Sequence, residues 1–147
     1  MIKTSLHQFV DRILEDRAIT AADVDVLRRE VLPDGLASRE EADVLIALDR
    51  AVPGADPAYA TFLVASVVEF VVWTARPTGY VEEDACRWLA TSLSCGGGPT
   101  ENALRVAFEV VKEAQRVDET LLAFVMRASQ RRPVYGLSPR NVAVIAA

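Results

Sequence analysis

Apolar residues recur with helical spacing along nearly the whole chain. Leu6, Phe9, Val10, Ile13 and Leu14 share one face of a first helix begun by Thr4 or Ser5. A second helix opens at Thr20, with Asp23 three residues on as a short-armed capping box. It carries Val24, Leu27 and Val31 and stops at Pro33. A third opens at Ser38 with Glu41 at the capping-box position, carries Ala42, Leu45, Ile46 and Leu48, and ends before Pro53-Gly54. The fourth runs from about Pro57 to Ala75, where Asp56 suits the cap and Pro57 the first turn. Ala85, Trp88, Leu89 and Leu93 mark a fifth helix from about Glu82 to Ser94, closed by Gly96-Gly97-Gly98. Pro99-Thr100-Glu101 opens a sixth with Leu104, Ala107, Phe108 and Val111, and Asp118 caps a seventh with Leu121, Leu122, Val125 and Ala128. Ser138-Pro139 marks the start of a short last helix in a peripheral terminal segment, about 133–147. No stretch alternates with period two between turn signals. The pattern predicts an all-α fold, a single domain of about seven helices around the central apolar helix at about 57–75.

Two loops echo each other. Pro33-Asp34-Gly35-Leu36-Ala37-Ser38 aligns with Pro77-Thr78-Gly79-Tyr80-Val81-Glu82. In both, proline stops a helix, glycine permits a turn, two apolar residues anchor the loop, and a capped acidic helix start follows. This reads as two stacked helix–loop–helix units. The same residue types also serve any helix-to-helix turn, so chance similarity stands beside duplication.

The fourth helix raises the question of solvent. Ala58 to Ala75 holds one charge, Glu69, in a stretch about as long as the shortest membrane spans. Pro57 and Pro77 bound it, and only Arg76 flanks it as a cation. An acid inside a span is costly in lipid, so length and charge favour a buried central helix over a span or a membrane-surface element. On a helical wheel Glu69 lies with Phe62, Ala65, Ser66, Trp73 and Arg76, opposite Leu63, Val64, Val67, Phe70 and Val71. Two readings follow. Glu69 either occupies a narrow polar stripe, or is buried and paired with an arginine beside a pocket. Glu69, Trp73, Ser66 and Arg76 are therefore the candidate ligand or interaction residues.

Composition narrows the function classes. The 147 residues are 51% hydrophobic and 25% charged, enough for a packed core and unlike a disordered chain. Net charge is −5, with both signs interspersed, which argues against nucleic acid as partner. The start of the chain lacks the pattern of a signal peptide, and the two cysteines, Cys86 and Cys95, are poorly spaced to bond. Both read as buried, inert thiols in a reducing cytoplasm. The single histidine, His7, lies four residues before Asp11 and reads as a partly exposed side chain without a catalytic partner. One His and two distant Cys match no zinc spacing, and no cofactor is expected. The triple glycine lacks a following Lys and reads as a connector rather than a phosphate cradle.

The first loop also invites a calcium reading. Asp34, Ser38 and Glu41 fall on EF-hand ligand positions around Gly35, but Leu32 occupies a position that must ligate. A capping box explains Ser38 and Glu41 equally. The segment Asp34-Gly35-Leu36-Ala37-Ser38-Arg39-Glu40-Glu41-Ala42, followed by Leu45 and Leu48, resembles the helix-entry motif of the tellurite-resistance TerB-like helical proteins. In overall style the chain is also similar to helical proteins of alphaproteobacteria. The TerB-like resemblance implies a small bacterial all-helical domain of repeated helix–loop–helix units, a cytoplasmic stress or signalling accessory, sometimes with carboxylate metal sites. Asp34 and Glu41 would match such acids, whereas Thr78 stands where the second loop would want an Asp.

Taken together, the leading expectation is a non-enzymatic protein-interaction or regulatory module whose partner is another protein, with no membrane span. A small-ligand binder or enzyme with a helical pocket around Glu69 is the alternative. A metal-responsive domain at the Asp34 loop is the third.

Overall fold

The computed structural model describes residues 3–75, 77–96 and 98–131. Seven helices account for most of it: α1 (Thr4–Asp16), α2 (Ala21–Val26), α3 (Arg39–Ala51), α4 (Pro57–Val68), α5 (Glu83–Ser94), α6 (Glu101–Glu113) and α7 (Glu119–Arg131). The fold is all-α, as the periodicity predicts. Two helices continue as wider π-helical turns, α2 through Leu27–Val31 and α4 through Glu69–Thr74. The predicted start at Ser138 lies outside the described residues.

Helix starts follow from side-chain chemistry. Thr20 and Asp23 form a reciprocal capping box, each side chain accepting from the other's backbone N–H. Ser38, Asp56 and Thr100 each accept a backbone N–H in the first turn of the helix that follows. The Asp118 carboxylate accepts from the Thr120 N–H, and this bond holds its carboxyl below the usual value. α1 and α5 depart from this pattern, because no side chain closes their cap positions, Lys3 and Glu82, the latter expected as a capped start.

The packing is a stack. α2 packs on α4 and α4 on α6, while α3 packs on α5 and α5 on α7. The chain therefore forms three successive helix–loop–helix units, α2–α3, α4–α5 and α6–α7, where the sequence suggests two. Such units bury their apolar faces against their neighbours. α1 lies against the π-helical turn of the first unit. The second and third loops touch through two short strands, β1 (Tyr80–Val81) and β2 (Arg116–Val117), paired in parallel with Tyr80 opposite Arg116. Gly79 sits at φ 84°, a conformation that disfavours a side chain, and its carbonyl accepts from Gln115 and Arg116. The two predicted loop anchors reduce to one in each unit. Leu36 is buried and Ala37 exposed, whereas Val81 is buried and Tyr80 exposed, so the anchor shifts by one residue between the copies.

One hydrophobic core, contributed by all seven helices, runs through the stack from Leu6 to Ala128. Leu14 and Leu122, both expected inside, are 45% and 39% exposed. Tyr59 is the largest wholly buried side chain, and its hydroxyl donates to the Leu45 carbonyl at 2.6 Å. Burial pushes its phenol well above the usual value, and the nearby Asp49 charge adds to the shift. A phenol with a raised folded-state pKa keeps its full contribution below the unfolded value near 10 and loses it as pH rises from there through the folded value. Tyr59→Phe is expected to cost about 1 kcal/mol near neutral pH and to flatten the alkaline fall in stability. Urea titrations at about pH 7 and about pH 11 check both expectations.

Candidate interaction face and the buried acids

α4 is the most apolar helix described, and Pro57–Thr74 is long and apolar enough to cross a membrane by length and composition. Its inward side is the middle of the stack: Leu63, Val67 and Val72 are wholly buried, with Val64 and Val71 close behind. Phe70, expected inside, is only half-buried, and Val72 takes the inner position instead. The wider turn from Glu69 onward advances each residue by less than an α-helix does and so rotates the stripe.

The outward side of the same helix is a continuous stripe. Ala65 and Glu69 are exposed, Phe62 and Ser66 are half-buried, and Trp73 is 37% exposed. Of the two readings of Glu69, the solvent-facing stripe holds and the buried pair does not, because the helix turns its carboxylate away from the core. Arg76 lies outside the described residues. Glu69→Gln is accordingly expected to change stability in dilute solution by under about 0.5 kcal/mol, as exposed substitutions usually do. A urea titration checks it. Beside the stripe, Ala58, Thr61, Phe62 and Ala65 line a groove of about 490 Å³ with Ala21, Val24, Asp25 and Arg28 of α2.

The next helix carries the aromatic surface onward. Phe70 meets Trp88 edge to face, with ring centroids 6.3 Å apart. The Arg39 guanidinium stands over the Trp88 ring at 5.2 Å and pairs with Asp84 at 2.8 Å. Trp88 Nε1 and Ser92 Oγ both donate to one oxygen of Asp43, at 2.9 and 2.7 Å, which ties α3 to α5.

Two acids are buried among the described residues. Glu41 accepts from the Ala37 N–H at 2.7 Å while its own N–H donates to Ser38. Glu41 therefore serves as a cap and Asp34 is exposed, so the loop does not bring these two weak metal candidates together. Among the described residues no group of three or more His, Cys, Asp and Glu side chains is placed to hold a metal ion. The other acid, Asp49, accepts from Thr100 Oγ1 and from Asn102 Nδ2, the latter at 2.8 Å. It ties α3 to the start of α6 at the edge of a cavity of about 320 Å³, shared with Glu101 and Arg105. Sequence reasoning missed this tether. The available signal was an acid in phase with Ala42, Leu45 and Ile46 on an otherwise apolar stripe.

No family model, curated protein or solved structure matches this chain.

The remaining candidates fall out simply. His7 Nδ1 lies 3.3 Å from Asp11, and both side chains are about two-thirds exposed at 65% and 68%. Both cysteines are free, but only Cys86 is buried; Cys95 follows the last turn of α5 and faces solvent. Burial pushes the Cys86 thiol above its usual value, which keeps it protonated and unreactive.

Proposed function

We propose that this chain is a non-enzymatic protein-interaction module of the cytoplasm, with the outward stripe of α4 as its contact surface. The observation that carries the reading is the mismatch on α4. The most apolar helix has only a third of its residues buried within the chain, and its free side presents Phe62, Ala65, Glu69 and Trp73 in line. Contiguous apolar surface rimmed by polar groups marks contact sites, and tryptophan and arginine dominate the energy of such contacts. The buried acids support the same reading, since Glu41 and Asp49 are committed to holding helices in place. A stress or signalling accessory role, which the TerB-like motif around Asp34–Ala42 implies, is compatible with a module of this kind.

The experiment is affinity capture from the cytoplasm of the source cells with the intact chain and with Trp73→Ala. One specific, saturable bound protein, lost with Trp73→Ala, is the expected outcome. Saturable capture that ignores Trp73→Ala, or none at all, overturns the assignment of this face.

A further inference from the structure

The outward face of α4 carries a projection and a recess on one helix, and opposite charges beside each. Trp73 projects near its C-terminal end, and the groove with Thr61, Phe62 and Ala65 lies toward its N-terminal end. Glu69 stands one turn before Trp73, and Arg28 of α2 lines the groove. Twelve residues separate Trp73 from Thr61, about 18 Å along a helix. A surface of this kind is complementary to itself when turned about a two-fold axis between its two halves.

We propose that the outward face of α4 pairs with the same face of a second copy of this chain, antiparallel, each Trp73 seated in the other copy's α2–α4 groove. The crossing centres near Val67. That register sets Trp73 of one copy over Thr61 of the other and brings Glu69 level with Ala65, beside Arg28. Arg28 is already paired with Asp25 within its own chain, on a side chain that is 57% exposed. Glu69 arriving from the second copy therefore completes a network of two acids around one guanidinium. The occupant is a second copy because this one face supplies both members of each contact, Trp73 with the groove and Glu69 with Arg28. Trp73 keeps 37% of its surface in water, so covering it removes at most roughly 90 Å² of the about 150–250 Å² that a whole aromatic side chain buries. It is the largest apolar contribution this face makes to the contact. The inference rests on α4 being the contact face and adds the identity of its occupant.

Sedimentation equilibrium over a concentration series, with circular dichroism to confirm folding, tests the pairing. Arg28→Glu and Glu69→Arg are exposed changes that leave the monomer intact. Each alone is expected to raise the dimer dissociation constant at least about tenfold, and the two together to return it to within about threefold. Trp73→Ala is expected to weaken it further. A chain that stays monomeric into the high micromolar range overturns the inference, as does a dimer indifferent to both charge reversals. A monomer that still captures a different protein through Trp73 overturns self-pairing and leaves the interaction face standing. A monomer that instead co-sediments with phosphatidylcholine vesicles overturns both.

Discussion

Val67→Asp is expected to leave the chain unfolded at room temperature. Val67 is wholly buried at the middle of α4, the helix that touches both neighbours in the stack. An aspartate there would be surrounded by the buried apolar side chains of Leu63, Val64 and Val71 and by the facing helices. Burying an unpaired carboxylate costs several kcal/mol, set against a total stability of about 5–15 kcal/mol for a domain. Neutralising the acid by protonation still leaves a lost packing contribution and a hydroxyl to satisfy. Ala65→Asp, two residues earlier on the exposed side, is the matched control and should cost under about 1 kcal/mol. Circular dichroism and urea titration separate the two. A stable Val67→Asp together with an unfolded Ala65→Asp would mean that α4 faces the opposite way.

Asp49→Ala is expected to cost about 2–4 kcal/mol. The carboxylate accepts two hydrogen bonds from the start of α6, and bonds to a charged acceptor contribute about 1.5–3 kcal/mol each. Thr100 is also the cap of α6, accepting the Ala103 N–H at 3.0 Å, so the acid holds the cap in its working rotamer. Loss of Asp49 therefore acts first on the N-terminal turn of α6. Hydrogen exchange should show the amides of residues 101–104 losing protection more than those of α1. Asp49→Asn keeps one acceptor and should fall between. A loss under about 0.5 kcal/mol for Asp49→Ala would remove its role as a tether between α3 and α6.

Local chemistry was legible in the sequence where one residue decides it. Thr20, Ser38, Asp56, Thr100 and Asp118 cap helices because each offers an oxygen one turn from a free N–H, and all five lie where the pattern places them. The inward residues of α2 and α3 were equally plain, because their apolar stripes contain few exceptions. The third helix–loop–helix unit was hidden because its loop, Ala114 to Asp118, has neither proline nor glycine to match the other two. The π-helical end of α4 was hidden too, since a wheel drawn at a fixed angle cannot register a wider turn. Glu69 was ambiguous for a different reason: one acid on an apolar helix fits either a pair or a stripe, and only the neighbouring helices decide which. Asp49 needed a partner 51 residues away in Thr100, a relation that periodicity does not encode.

Photo-crosslinking from position 69 is the most direct measurement of the central claim, that the outer stripe of α4 is a contact face. A benzophenone amino acid replaces Glu69 in one preparation and Asp11, an exposed residue of α1, in another. The account predicts a saturable crosslinked product from position 69, formed with a second copy of the chain, and none from position 11. Equal crosslinking from both positions, or none from position 69 at concentrations that saturate position 11, would contradict it.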